Sequence, residues 1–233
     1  MKIAVFGTGV VGQIISEKLV TLGHDVMIGT RNVRDAMTKS APDNFGRPGF
    51  GEWHKANPII KVGTYAEVAS FGELIITATN GSGTLPSLEQ AGSQTLSGKV
   101  LIDISNPLDF SKGMPPSLFV CNTDSLGEQI QRTYPDLKVV KTLNTMNAYI
   151  MVNPSLVPGD HNVFVSGNDK DAKSKVTDLL KSFGWKESNV IDLGDITTAR
   201  GTEQLLPVWL RLWGVLRNPM FNIKIVIGEP SRS

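Results

Sequence analysis

The 233 residues carry 23 Lys and Arg against 22 Asp and Glu, a formal net charge of +1, and a single cysteine. That balance gives no polyanion-binding signature and argues against nucleic acid as a partner, and one cysteine excludes an intramolecular disulfide and fits a reducing compartment. No apolar run approaches the roughly 18 residues of a membrane span, and Glu17 and the glycines interrupt the first apolar stretch before a signal-peptide core can form, so a cytoplasmic protein without membrane contact is expected.

The chain opens on Ile3, Ala4, Val5 and Phe6, which predict a strand buried on both faces. Gly7, Gly9 and Gly12 follow in GxGxxG spacing, and Val11, Ile14, Ile15, Leu19 and Leu22 recur at helical period. Strand, tight turn and helix in this order suit a dinucleotide. The first glycine permits the turn, the second lets the backbone approach a pyrophosphate, the third lets helix and strand pack closely, and free N–H groups at the helix start face the anion.

Through the turn Leu22, Gly23 and His24 the chain reaches a second strand over 25–29. Where an NAD site places Asp or Glu, about 20 residues past the glycines, this chain has Thr30, Arg31 and Asn32. A hydroxyl, a guanidinium and an amide all donate to a 2′-phosphate and no carboxylate repels it, so NADP is expected over NAD. Arg34 is a candidate second phosphate ligand. Residues 41–58 lose periodicity and read as a long loop, whose Phe45, Phe50 and Trp53 form either a lid over a planar ligand or an excursion packing its own aromatics. His54 in that loop has no companion at metal-ligand spacing, and no metal is assigned.

Further on, a strand over 59–63, a helix over 65–71 and a strand over 73–79 lead to Asn80, Gly81, Ser82 and Gly83. A helix over 85–96 precedes a strand over 100–105 that runs into Asn106 and Pro107. After a loop through Pro115 and Pro116 come a helix over 125–133, capped by Thr123 or Asp124, and a strand over 138–143 that runs into Asn144, Thr145, Met146 and Asn147. Ligands of a doubly wound sheet lie outside the carboxyl ends of its strands, so Thr79, Asn80, Gly81, Asn106 and Asn144 should border one crevice.

The last third reads as a strand over 161–166, a helix over 171–183, a strand over 190–193 and a helix over 198–216. Leu205, Leu206, Val208, Trp209, Leu212, Trp213 and Leu216 exceed one narrow stripe, which makes that helix deeply buried or a subunit interface. Pro207 either kinks it or starts a new one, and Trp209 and Trp213, one turn apart, read as packing ahead of a cofactor platform. The expected fold is α/β, a Rossmann-type doubly wound, mostly parallel sheet with a small C-terminal helical extension. Residues 1–160 form its NADP-binding domain and 161–233 a small C-terminal portion packed on it.

No nucleophile, base and orienting acid recur together. His24, His54 and His161 are scattered, and Cys121, with no His near it in sequence, reads as a buried or incidental thiol. Hydride transfer between a nicotinamide and a second redox ring asks for position, orientation and exclusion of water rather than acid–base groups.

Six motifs carry a family resemblance: GTGVVG at 7–12, IGTRN at 28–32, DISNP at 103–107, VVKTLNT at 139–145, SGND at 166–169 and IDLGDITTARGTEQLLP at 191–207. In order and spacing the chain resembles the NADP oxidoreductases typified by F420-dependent NADP reductase, and is similar to the NADPH-binding domain of the six-transmembrane metalloreductases. The resemblance implies NADP(H), with Thr8, Gly9, Val10 and Val11 holding the pyrophosphate and adjoining ribose, and Thr30 and Arg31 holding the 2′-phosphate. It places Thr79 to Gly81, Asn106 and the 144–148 segment, including Met146 and Ala148, around the nicotinamide and a small-molecule acceptor, F420 or a flavin, and it implies a homodimer through the C-terminal helices.

The turn at 79–83 and the longer loop depart from the family pattern where the acceptor would bind. One alternative is a reductase of a small carbonyl or imine, with Lys141 as proton donor unless it is a solvated strand residue. Another is a non-enzymatic NADPH sensor.

Overall fold

The computed structural model describes residues 1–42 and 46–228. β1 (Lys2–Phe6) feeds α1 (Val10–Thr21), and the chain continues through β2 (Asp25–Thr30), α2 (Val33–Met37), α3 (Phe50–Ala56), β3 (Lys61–Thr64), α4 (Tyr65–Phe71) and β4 (Leu74–Thr77). The middle holds α5 (Gly81–Ala91), α6 (Ser93–Leu96), β5 (Val100–Asp103), a hairpin of β6 (Leu108–Asp109) and β7 (Ser117–Leu118), α7 (Leu126–Thr133), β8 (Lys138–Thr142) and α8 (Ala148–Val152). The rest is β9 (Val163–Gly167), α9 (Lys170–Phe183), β10 (Val190–Gly194), α10 (Ala199–Gln204) and α11 (Leu206–Leu216).

Eight strands form one sheet in the order β10-β9-β8-β5-β4-β1-β2-β3. From β3 to β8 all neighbours are parallel, and the direction of winding reverses between β1 and β4. β9 is antiparallel to β8, and β10 is parallel to β9. The link from β8 to β9 holds only short α8 and a 3₁₀ turn, whereas the 14 residues of α9 carry the crossover to β10. Along β1, Ile3 and Val5 enter one core with Ile15 and Leu19 of α1, and Ala4 and Phe6 enter the other with Val68 and Leu88. This is the two-sided burial of a central parallel strand.

Several local expectations change. α5 begins at Gly81 rather than at residue 85, because the Asn80 side-chain oxygen accepts the Gly83 N–H at 2.9 Å and caps the helix. Gly92, at φ 85°, then separates α5 from α6. The cap of α7 is Ser125, not Thr123 or Asp124: its hydroxyl accepts the Glu128 N–H at 3.1 Å and donates to the Glu128 carboxylate at 2.8 Å. Asp124 instead holds both outer nitrogens of Arg132 at 2.8 Å.

The loop at 41–58 contains α3, with Phe50 3% and Trp53 6% exposed and the Trp53 indole N–H donating to Glu17. These two aromatics belong to the core and do not form a lid, and Phe45 lies outside the described residues. The helix expected over 198–216 is two helices, with Pro207 in the first turn of α11. Leu206 is buried, while Val208, Leu212, Val215 and Leu216 are exposed, so in the single chain α11 is not deeply buried. Cys121 is exposed rather than buried. Among the described residues no helix is long and apolar enough to cross a membrane, and no group of three His, Cys, Asp or Glu could hold a metal ion.

Candidate functional site

The β1–α1 turn sits at the carboxyl edge of the sheet, where the winding reverses. Gly7 has φ +117°, and a Cβ there would lie 2.6 Å from the Ala78 carbonyl oxygen. A Cβ on Gly12 would lie 2.1 Å from the Gly7 carbonyl oxygen. Both glycines are therefore required by close backbone approach. Gly9 differs: nothing lies within 4 Å of its Cβ position, and no side chain caps the start of α1. Open space over an uncapped helix N-terminus is a cradle for an anion.

A cavity of about 360 Å³ opens from this turn, lined by Gly7, Thr8, Gly9, Arg31, Tyr65, Thr79, Asn80, Ser82 and Gly83 among others. Its cation among the described residues is Arg31, exposed just past the end of β2, and no carboxylate among them lines it. Burial pushes the Tyr65 hydroxyl pKa up, and the Arg31 charge pulls against that shift. An anion cradle, a guanidinium and an aromatic ring in one cleft fit the pyrophosphate, 2′-phosphate and adenosine of NADP(H).

A second cavity of about 870 Å³ adjoins the first, with Thr79, Asn80 and Ser82 lining both. The loops after β5 and β8 close one side. Asn106 Nδ2 donates to the Asn144 carbonyl, and Asn144 Nδ2 donates to Asn106 Oδ1, each at 2.9 Å. A Cβ on Gly81 would lie 2.1 Å from the Asn106 carbonyl oxygen, which is how tightly α5 seats on this loop. Its other walls include Val11, Ile104, Ser105, Asp109, Met146, Met151, Leu206 and Trp209, with Phe110 and Phe119 from the β6–β7 hairpin. Trp209 stacks on Phe221 at 5.3 Å between centroids, and its indole N–H is buried without a hydrogen-bond partner. Packing alone holds this ring.

Under the Ser105–Asn106 loop lies a buried ion cluster. Lys141 Nζ is 2.8 Å from Asp103 Oδ2 and 2.8 Å from Glu203 Oε1, and it donates to the Ser105 carbonyl at 2.6 Å. Asp103 Oδ1 accepts the Ser105 N–H at 3.0 Å and its hydroxyl at 2.6 Å, while Glu203 accepts the Leu126 and Gly127 N–H groups at the start of α7. Lys141 is thus 1% exposed, not a solvated strand residue, and its donors are directed at these three partners. Burial is the largest single effect on its pKa and lowers it, but the charges of Asp103 and Glu203 and the hydrogen bonds to them together outweigh burial and hold it above the ordinary lysine value.

Of the residues singled out from sequence, Gly7, Thr8, Gly9, Arg31, Thr79 and Asn80 meet in the smaller cavity, and Val11, Gly81, Asn106, Asn144 and Met146 in the larger. Val10 lines a shallower hollow beside the turn, and Gly12 is packed against Gly7. Thr30 ends β2, and the Asn32 side chain caps α2 by accepting the Asp35 N–H at 3.2 Å. Arg34 is exposed on α2, and Ala148 is buried in α8. Sequence reasoning missed Tyr65, Phe110, Phe119 and the ion cluster, and read Trp209 as packing ahead of a cofactor platform. Tyr65 alone left a signal, since it directly follows β3 at the edge where ligands bind.

Residues 2–107 match the family model described as NADP oxidoreductase, coenzyme F420-dependent. A solved structure from Arthrobacter sp. FB24, provisionally named an F420-dependent NADP-reductase, is 54% identical, with 97% of this chain and 100% of that one covered and a TM-score of 0.93. F420-dependent NADP reductase of Methanothermobacter marburgensis is 25% identical over 216 residues, 91% of this chain and 92% of that protein. Metalloreductase STEAP3 of Rattus norvegicus is 25% identical over 214 residues, 89% of this chain, and the chain spans 38% of that relative's length.

Proposed function

The chain belongs to the coenzyme F420-dependent NADP oxidoreductase family, and from that premise we propose that it transfers hydride between NADPH and a flavin-like or deazaflavin (F420) acceptor. One observation carries the reading: the cleft that fits the dinucleotide and the larger apolar cavity share Thr79, Asn80 and Ser82 as a common wall. Two rings entering from opposite sides meet there. NADPH, when bound, supplies the hydride; the acceptor takes it with one proton from solvent, and NADP⁺ remains.

The chain's own work is placement. The open backbone at Gly9 and the N-terminus of α1 receive the pyrophosphate, and Arg31 the 2′-phosphate. The Asn106–Asn144 pair fixes the two loops beside the junction, and the apolar walls of the larger cavity exclude water. The same reading has two copies meeting through the exposed face of α11, which sedimentation at micromolar concentration tests: a monomer there removes that part of it.

The enzymatic test is anaerobic stopped-flow oxidation of NADPH with F420, FMN and FAD offered separately, beside NADH. Rapid oxidation of NADPH by one of these acceptors supports the proposal. A preference for NADH overturns the role given to Arg31, and tight NADPH binding without turnover by any of these acceptors overturns hydride transfer to a flavin or deazaflavin, in favour of a sensor or of an organic substrate.

A further inference from the structure

Most of the hydroxyls lining the smaller cleft are spent within the protein. Ser82 donates to the Asn80 side-chain oxygen at 3.3 Å, Ser87 donates to the Thr84 carbonyl at 2.7 Å, and the Thr79 hydroxyl pairs with that of Thr84 at 2.9 Å. Among the described lining residues that leaves the hydroxyls of Thr8, in the glycine turn, and of Tyr65.

The sheet places Tyr65 beside Arg31. β3 runs parallel to β2 with Gly63 level with Gly29 and Thr64 level with Thr30, so residues 31 and 65 step off neighbouring strand ends together, at a strand spacing of about 4.8 Å. Thr64 and Glu67 cap α4 reciprocally, which fixes the residue that follows the cap. The Tyr65 ring then packs on Phe6 at 4.9 Å between centroids, and Gly29 makes room for it: a Cβ there would lie 2.9 Å from Tyr65 Cδ1.

Held in this way, Tyr65 is 7% exposed and lines the cleft, and its hydroxyl has no hydrogen-bond partner among the described residues. The oxygen is not one of the polar atoms closed off from solvent, so it opens into the cleft. A tyrosine hydroxyl in a buried position ordinarily has a partner. Burial pushes its pKa up against the pull of Arg31, which keeps it a donor at neutral pH. An unspent donor beside a guanidinium suits an anionic acceptor that both can share.

Resting on the reading that this cleft holds NADP(H) with its 2′-phosphate at Arg31, we propose that the Tyr65 hydroxyl donates to the same phosphate, so that NADP is selected over NAD by donors from two neighbouring strand ends and not by Arg31 alone. The guanidinium supplies the charge and the locked ring supplies direction. NAD presents only a neutral hydroxyl at that position, to which such a bond is worth less.

Tyr65→Phe tests this, because it keeps the ring that packs on Phe6 and removes one oxygen; an unchanged melting temperature verifies the fold. By titration calorimetry the Kd for NADP⁺ should rise about 10-fold, while those for NAD⁺ and 5′-AMP change by less than about 2-fold. The loss should be level from about pH 7 to 9, where the hydroxyl stays protonated. Phosphorus NMR separates the contact from a general loosening of the cleft: the 2′-phosphate resonance of bound NADP⁺ should shift between wild type and variant while the pyrophosphate resonances hold. Equal losses for NADP⁺ and NAD⁺ place the hydroxyl on the adenosine that both share and overturn the proposal. No loss for NADP⁺, in a wild type that prefers it over NAD⁺, overturns the proposal and leaves Arg31 as the 2′-phosphate residue. A wild type that binds NAD⁺ as tightly as NADP⁺ overturns the reading beneath it, before any substitution is made.

Discussion

Glu203→Gln isolates the buried ion cluster. The three charged side chains are each at most 2% exposed, and Lys141 Nζ lies 2.8 Å from both carboxylates. The substitution removes one of two negative charges facing the ammonium. It also leaves a single amide oxygen where two carboxylate oxygens accept from Lys141, Leu126 and Gly127. Breaking a buried ion pair costs about 3–5 kcal/mol. Asp103 remains to satisfy part of the charge, so the lower end, about 3 kcal/mol, is expected.

At roughly 2–4 °C per kcal/mol for a chain of this size, the melting temperature should fall by about 6–12 °C in scanning calorimetry. The pH dependence has a fixed sign. The folded-state pKa of Lys141 is raised, so its stabilisation is complete below the ordinary lysine value of about 10.4 and is lost as pH rises through the higher folded value. The gap between wild type and Glu203→Gln should therefore stay flat from about pH 6 to 9 and narrow only in stronger base. Lys141→Met added to Glu203→Gln should deepen the loss, because it leaves the buried Asp103 carboxylate without its cation. A fall in melting temperature of less than about 2 °C refutes the account of the cluster.

Arg31→Ala should raise the Kd for NADP⁺ about 10-fold by calorimetry and leave NAD⁺ unchanged; the low end of a charged hydrogen bond, about 1.5 kcal/mol, applies because the guanidinium is exposed. Equal losses for both nucleotides remove the 2′-phosphate role. Gly9→Ala should fold normally, since its Cβ meets nothing within 4 Å, yet weaken NADP⁺ by about 10-fold or more. Gly12→Ala, whose Cβ would sit 2.1 Å from the Gly7 carbonyl oxygen, should instead lose about 1–3 kcal/mol of stability. Indistinguishable behaviour of the two variants contradicts the division of labour among the glycines.

The hydrogen bonds from Arg132 hold the Asp124 carboxyl well below the usual carboxylate range. The small advantage of wild type over Asp124→Asn should be complete at neutral pH and decline as pH falls below about 3.9. In acid denaturation series, an advantage undiminished at about pH 2 contradicts it.

The glycine turn and the cleft it opens were legible because their parts are contiguous or rule-bound: three glycines within six residues, and Arg31 just past the end of the next strand. The aromatic walls of the larger cavity had no such signal. Phe110 and Phe119 belong to a hairpin of two-residue strands, too short for any period to register. Trp209 reads as one more apolar residue of a helix. Lys141, flanked by Val140 and Thr142, looks like any strand residue whose charge reaches water; its burial is decided by carboxylates 38 residues earlier and 62 residues later in the chain.

Those distant carboxylates also hold one side of the larger cavity together. Glu203 brings α10 onto the start of α7 and onto Lys141, and Lys141 and Asp103 together bind the N–H, hydroxyl and carbonyl of Ser105. Ser105 lines the larger cavity, and so do Leu206 and Trp209, three and six residues beyond Glu203. The cluster that anchors the C-terminal helices is therefore the same one that fixes the loop they face. A buried ion cluster adds little net stability over an apolar replacement, but it tolerates few alternative arrangements. In this chain the arrangement it selects holds one wall of the larger cavity, where Ser105, Leu206 and Trp209 meet.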